Sequence, residues 1–382
     1  MARKKVVQKK PASDKLPALT PPGFTITGIQ ARPVVVPMRM PLHTASGAID
    51  KAALVLIDIY TSEGITGRSY LFAIGANNLK PIIALVDAMG EMITGDPVAP
   101  YEVERKLRLK YALLGVHNIV LIAMSGIDMA LWDAYAQWLS QPLVRVLGGQ
   151  VKPVRAYNSN GLGIMAPPKL AKEAVKLVRA GFSAVKLRLG RERAADDVAA
   201  LRAVKKAIGP DVTLMCDFNQ GLTMNEAIRR GRMLDEEGGL TWIEEPIRAD
   251  NFEGTARIAD ALDTPVQIGE NFMGAEQMAQ ALTYQCCDFV MPDVQRIGGV
   301  TGWMRAAALA DAAGLDMSTH LFPEISSHLI AVTPTQHWLE YVDWAEPILA
   351  EPVQVKNSHV IIADRPGTGV AWDENAVRKY SV

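Results

Sequence analysis

Between Lys186 and Glu340, single ionisable residues recur at a nearly constant interval, most of them closing a short apolar run. Asp217 ends LMCD, Glu244 lies in TWIEEP, Glu270 in VQIGEN, Asp293 in FVMPD and His320 in MSTHLF, at separations of 27, 26, 23 and 27 residues. Lys186 precedes Asp217 by 31 residues, and Glu340 follows His320 by 20. Helix-like sequence fills each gap. One strand and one helix per interval is the arithmetic of a parallel (β/α) barrel, whose active sites gather at the C-terminal ends of the strands. The period therefore predicts that these side chains meet at one mouth. An acid after a strand can also serve only to cap the next helix. Five residues in step, three of them acids suited to a hard cation, argue for a site.

The rest of the chain narrows the partners. It has 382 residues, 49% apolar and 21% charged, with a formal net charge of −1. That is enough apolar sequence for a large core, and the charge favours neither nucleic acid nor an anionic membrane. Cys216, Cys286 and Cys287 form no disulfide framework and no zinc-type spacing. Reduced thiols in the cytoplasm are the expectation. Residues 1–22 are basic and Pro-rich and lack the apolar core of a signal peptide, so they read as a flexible tail.

Residues 23–150 read as an α+β domain. TITGIQARPVVVPM and LVLIDIY are strand-like, and Ser62-Glu63-Gly64 turns the chain into ITGRSYLF as a hairpin. Pro41–Gly47 is small and Gly-bearing and reads as a loop able to move; helical patterns follow near Leu79–Thr94, Tyr101–Leu113 and His117–Leu139. Residues 151–341 carry the barrel. Residues 342–382 hold two short strand patterns and the turn Pro366–Gly369, a segment too short to fold alone, and predict docking on the N-terminal domain.

Asp217, Glu244 and Glu270 supply three carboxylates at successive strand ends, an oxygen set suited to Mg²⁺, with Mn²⁺ as a substitute. Glu245, one residue on, points to the opposite side of its strand. Asp293 and His320 fall on adjacent strand ends, where a carboxylate holds one imidazole nitrogen and leaves the other as a base. His328 and His337 have no such partner in the pattern. Lys186 and Arg188 share a strand face. The set describes a carboxylate substrate bound at a metal, deprotonated at its α-carbon and stabilised as an enediolate; Glu340, if protonated, can donate a hydrogen bond to the other carboxylate oxygen.

The stretches GIDMALWDA, PLVRVLGG, AVKLRLG, DFNQ, TWIEEP, IGEN, MPDVQRIGGVTGW, STHLFPEIS and TPTQHWLE together resemble the enolase superfamily, in its mandelate racemase subgroup, over nearly everything from residue 24 onward. The resemblance implies an α/β fold, a modified TIM barrel (β/α)7β with an α+β capping domain formed from both chain ends. It implies Mg²⁺ on Asp217, Glu244 and Glu270, a His320–Asp293 dyad and Glu340 as the acid. Ser159 and Asn219 match positions that contact the bound carboxylate or hydroxyl. Leu42 and Ile49 match the mobile capping loop, and with Ile74, Leu113 and Leu321 they match an apolar substrate pocket. A homo-oligomer, often an octamer, is also implied, with a small-molecule carboxylate as the only other partner.

One position departs from the subgroup. Its usual Lys-x-Lys pair, whose second lysine is one of two opposed bases, reads Lys186-Leu187-Arg188 here. Deprotonating a lysine at pH 7 costs about 4.6 kcal/mol, and an arginine roughly 7 kcal/mol or more. Either Lys186 becomes the second base, or His320 works alone. The apolar pocket favours a mandelate racemase-like 2-hydroxy acid racemase or epimerase. The alternative is an acid-sugar dehydratase with His320 as sole base and acid.

Overall fold

A computed structural model describes residues 23–382. The expectation of a flexible tail over residues 1–22 lies outside the described residues.

Three antiparallel strands open the fold: β1 (Ile26–Thr44), β2 (Gly47–Thr61) and β3 (Thr66–Phe72), in the order β1-β2-β3. Apolar residues from Ala52 to Ile57 are buried without interruption, because β2 is the central strand and is covered. The covering helices are α1 (Leu79–Ile93), α2 (Pro100–Lys110) and α3 (Asn118–Trp138), within a few residues of the sequence pattern. Fifteen of the 21 residues of α3 are buried. Its length and apolar composition would suit a membrane span, but here it is the inner helix of the core. A one-turn helix, α4 (Leu143–Val146), leads into the barrel.

Eight strands make the barrel. They are β4 (Pro153–Asn158), β5 (Ala184–Arg188), β6 (Thr213–Asp217), β7 (Leu240–Glu244), β8 (Val266–Ile268), β9 (Phe289–Val290), β10 (Asp316–Met317) and β11 (Leu339–Tyr341). All neighbours pair parallel from β4 through β10, and β11 returns to pair parallel with β4. The Met317–Gln336 bridge and the Thr319 N–H to Trp338 carbonyl bond (2.9 Å) close the ring between β10 and β11. The crossovers are α5 (Pro167–Arg179), α6 (Ala194–Ile208), α7 (Met224–Glu237), α8 (Phe252–Ala259), α9 (Ala275–Thr283), α10 (Val294–Ile297) with α11 (Gly299–Ala313), and α12 (Pro323–Ile330). Seven crossovers between eight strands give (β/α)7β.

The C-terminal segment divides its attachments. The hairpin of β12 (Gln354–Lys356) and β13 (His359–Ile361) pairs antiparallel with barrel strand β4. The chain beyond it, ending in α13 (Glu374–Tyr380), returns to the N-terminal layer. There Trp372 Nε1–H donates to Asp58 (2.8 Å) and Val34 bridges Ser381. Docking thus involves both the barrel and the capping layer, where the sequence pointed to the capping layer alone.

The stretch Pro41–Gly47 also differs from its reading as a loop. β1 runs on to Thr44 and β2 begins at Gly47, with Leu42 opposite Ile49 after a register break between Pro37 and Leu42. The two-residue turn at Ala45-Ser46 is held by the Thr44 hydroxyl, which accepts from Ser46 N–H (3.1 Å) and donates to the Gly47 carbonyl (3.0 Å). Alternation in this stretch is weak because only Leu42 is buried, so the pattern carried no strand signal.

Candidate active site

The parallel register sets the site. Arg188 pairs with Asp217, and Asp217 with Glu244, so these three stand level at the ends of β5, β6 and β7. Lys186 pairs with Met215, one inward-facing position deeper. Gly269, at φ 136°, turns the chain out of β8 and delivers Glu270. Carboxylate oxygens of Asp217, Glu244 and Glu270 all lie within 4.8 Å of one another. Mg²⁺ takes oxygen ligands, carboxylates among them, at about 2.1 Å, so three converging carboxylates fit the ion in donor chemistry.

The electrostatics point the same way. Lys186 Nζ is buried against Glu244 and reaches Glu340 at 2.8 Å and Asp217 at 3.3 Å. Burial pushes the Glu244 carboxyl up to about 8, Lys186 pulling against it while Asp217 and Glu340 add to the rise. Five carboxylates, those of Asp217, Glu244, Glu270, Asp293 and Glu340, around one ammonium and one imidazole are short of positive charge, which a divalent cation would supply. Lys186 thus forms a buried acid–lysine network with two of the three metal-ligand candidates, Asp217 and Glu244.

Asp293 caps α10 through Oδ1, accepting from Gln295 N–H (2.7 Å), and holds His320 Nδ1 through Oδ2 at 2.7 Å. It is both helix cap and dyad partner, the two readings weighed for acids after strands. His320 Nε2 faces Glu270 Oε2 at 3.2 Å and Glu340 Oε2 at 3.8 Å. Burial works to lower the His320 pKa, but Glu270 and Glu340 together outweigh it and hold the ring well above its ordinary value.

Burial works to raise Glu340, but the charges of Lys186 and His320 hold it below the usual carboxylate range, which works against the protonation that a hydrogen-bond-donating role for it requires. It accepts from Lys186 and from Leu321 N–H (2.9 Å). Leu321 itself is buried, in the left-handed region at φ 49°.

Arg188 is anchored away from the metal ligands. Its Nη1 donates to the carbonyls of Ser159 (2.7 Å) and Gly161 (3.1 Å), and its Nη2 to the Ser159 hydroxyl (2.8 Å). Asn219 grips both oxygens of Asp217, through its backbone N–H at 2.7 Å and its side-chain amide at 2.9 Å. The residues matched to an apolar pocket differ in burial. Leu42 is buried beside Ile49 on the hairpin, but Ile74 is half exposed, and Leu113 is fully exposed in the turn after α2 with no hydrogen bond or core packing that ties it to the mouth.

Two participants had no clear sequence signal. Asn271 donates to Glu245 (2.7 Å) and to Glu270 (3.1 Å), joining the buried neighbour acid to a metal ligand; its only trace is its place after Glu270 in IGEN. Ser46, at the hairpin tip, donates to the Asn219 carbonyl. It is 173 residues away in sequence, and only the fold brings it there.

The mandelate racemase/muconate lactonizing enzyme N-terminal domain profile matches residues 26–148, and the enolase C-terminal domain-like profile matches residues 169–376. The chain belongs to the mandelate racemase/muconate lactonizing enzyme family of the enolase superfamily. It is 45% identical to a magnesium-bound enolase from alpha proteobacterium BAL199, with a TM-score of 0.92 over 94% of this chain and 100% of that one. An enolase from Bradyrhizobium complexed with magnesium and mandelic acid is 42% identical, with a TM-score of 0.89 over 94% and 99% of the two chains. The L-talarate/galactarate dehydratase of Salmonella typhimurium (strain LT2) is 32% identical over 86% of this chain and 83% of its own. The family's other relatives include arabinonate and gluconate dehydratases, a galactarolactone cycloisomerase and L-Ala-D/L-Glu epimerases. The protein is therefore a Mg²⁺-binding enzyme of this family.

Proposed function

We propose that the enzyme is a dehydratase of 2,3-dihydroxy carboxylates of the acid-sugar type, with His320 as its single base. The observation that carries this reading is the anchoring of Arg188. The subgroup's second base belongs at position 188, opposite His320. Here that position holds a guanidinium, a poor base, fixed by three hydrogen bonds to Ser159 and Gly161. Lys186 lies one position deeper and is engaged by three carboxylates. It is suited to orienting the substrate carboxylate, not to taking a proton from the face opposite His320.

Asp217, Glu244 and Glu270 would hold a Mg²⁺ that would supply Lewis-acid stabilisation of the charge developing on the substrate carboxylate and would offset the Glu270 charge that raises His320. Asp293 keeps Nδ1 protonated, so Nε2 is the atom that accepts the α-proton. The same Nε2–H then protonates the departing 3-hydroxyl on the same face, water leaves, and the enol tautomerises to a 2-keto acid. Glu340 holds Lys186 in place. The exposure of Ile74 and Leu113 weakens the objection that an apolar pocket raises to a polyhydroxy substrate. The relationship to talarate/galactarate dehydratase supports the same class.

The second reading, racemisation of an aryl 2-hydroxy acid, is favoured by the apolar pair Leu42 and Ile49 and by the Bradyrhizobium relative's mandelic acid complex. Incubation with Mg²⁺ in D₂O with acid sugars and with both enantiomers of mandelate separates them. The dehydratase reading predicts a 2-keto acid from acid sugars of one C2 configuration. It also predicts that His320→Asn lowers turnover by roughly 10²–10⁴-fold. Solvent exchange from both mandelate enantiomers, with interconversion and no keto acid from any sugar, overturns it in favour of the racemase.

A further inference from the structure

The tip of the β1–β2 hairpin is seated on the barrel mouth and touches three βα loops. His43 accepts at its carbonyl from Ile164 N–H (2.7 Å) in the loop after β4. Ala45 lies against Gly190 after β5 and Gly221 after β6, and a Cβ at either glycine would come within 2.7 and 2.5 Å of the Ala45 methyl. Ser46 donates to the Asn219 carbonyl. The loop after β6 is therefore contacted twice, at Asn219 and at Gly221.

That loop is also the one that holds a metal ligand. Asn219 binds both oxygens of Asp217, and its backbone sits in the left-handed region at φ 44°, followed by Gln220 at φ 64°. Two consecutive non-glycine residues in this region persist only when their surroundings hold them. The surroundings here are the Asp217 carboxylate on one side and the hairpin tip on the other, with the Gln220 N–H bond to the Glu245 carbonyl (2.8 Å) below. The orientation of the Asp217 oxygens and the seating of the tip are thus two ends of one short linkage, Ser46–Asn219–Asp217.

We propose that Ser46 and Asn219 are positioning residues that couple closure of the hairpin over the mouth to Mg²⁺ binding at Asp217. A seated tip fixes Asn219, and Asn219 fixes the Asp217 carboxylate for the ion. By reciprocity, a bound ion stabilises the seated tip. The coupling concerns the ion and the hairpin, and it stands whichever reaction the enzyme performs.

The test reads metal affinity rather than turnover. Mg²⁺ binding to metal-stripped full-length protein is measured by calorimetry, with Mn²⁺ binding by electron paramagnetic resonance in parallel. Ser46→Ala removes the donor, and Gly221→Ala pushes the tip away. Each is expected to weaken binding about fivefold. Gly221→Ala combined with Ala45→Gly removes the clash with the Ala45 methyl, leaving the Phe218 carbonyl 3.0 Å from the new Cβ, and is expected to bring back most of the lost affinity. Mg²⁺ is also expected to slow proteolytic cleavage at residues 43–48 several-fold in the wild type and not in Ser46→Ala. Unchanged affinity in both single variants overturns the proposal. So does a Gly221→Ala defect that Ala45→Gly leaves in place, because the effect then arises within the loop itself. Circular dichroism of each variant identifies any misfolded protein. In that event Ser46→Ala, an exposed hydroxyl deletion, decides the question alone.

Discussion

Lys186 shows how a single residue can stand in for an ion. Its ammonium contacts Asp217, Glu244 and Glu340, all of them buried. Removing one partner of a buried ionic cluster typically costs about 3–5 kcal/mol, because the remaining charges lose their compensation. Lys186→Met is therefore expected to lose about 3 kcal/mol of unfolding free energy in EDTA and to recover most of it in excess Mg²⁺. Wild-type stability should change less between the two conditions. Urea unfolding with and without chelator checks this, and a variant as stable as wild type in EDTA would refute it. That Asp217, Glu244, Glu270, Asp293 and His320 converge was legible in the sequence because strand spacing fixes which residues reach the barrel mouth. The state of Glu340 was not legible. It depends on Lys186 and His320 approaching it from other strands, and no spacing reports the sum of two charges against burial.

At the scale of elements, His328 joins three parts of the chain. It lies on α12, its Nδ1 accepts from Val144 N–H at the start of α4 (3.1 Å), and its Nε2 meets the Thr368 carbonyl in the C-terminal turn (3.1 Å). Burial lowers its pKa to about 4, the Thr368 carbonyl pulling weakly the other way. Between its folded value and the ordinary 6.5 the unfolded chain binds the extra proton, so this group's contribution is lost as pH falls through that window. The loss amounts to up to about 3 kcal/mol by pH 4. Asp128 and Glu324, both raised to about 7 mainly by burial, run in the opposite direction, favouring the fold as pH falls. The informative quantity is therefore the difference between wild type and His328→Gln. Wild type is expected to be the more stable at pH 7, with its advantage shrinking steadily towards pH 4; a constant difference across that range would contradict the assignment. The long elements were readable because their periodicity is strong, as the near-coincident bounds of α1 and α3 illustrate. The hairpin tip was not, because a strand pair that buries one side chain in seven residues leaves no alternation to read.

The molecule as a whole depends on its two ends meeting. That residues 342–382 must dock was legible from their length, but where they dock follows from polar groups that are visible only in the fold. Asp133 on α3 accepts from the Thr368 N–H (2.6 Å) and hydroxyl (2.7 Å). Asp58 on β2 accepts from Trp372 Nε1–H and from Arg32, which also pairs with Glu374 on α13. Both aspartates are buried, so the C-terminal segment satisfies acceptors that the N-terminal layer cannot satisfy alone. Leaving a buried acceptor without its donor costs about 1–3 kcal/mol. Trp372→Phe keeps most of the ring's packing and removes only the indole donor, while Arg32 still reaches Asp58. A loss of about 1–2 kcal/mol in urea unfolding is expected, with the denaturant slope unchanged. Deleting residues 366–382 removes both sets of partners and uncovers β1, a loss that approaches the whole stability of an ordinary protein. The truncated chain is expected to lose near-ultraviolet circular dichroism and cooperative unfolding. A truncated chain that still unfolds in one sharp transition near the wild-type midpoint would show that the capping layer closes without the C-terminal segment.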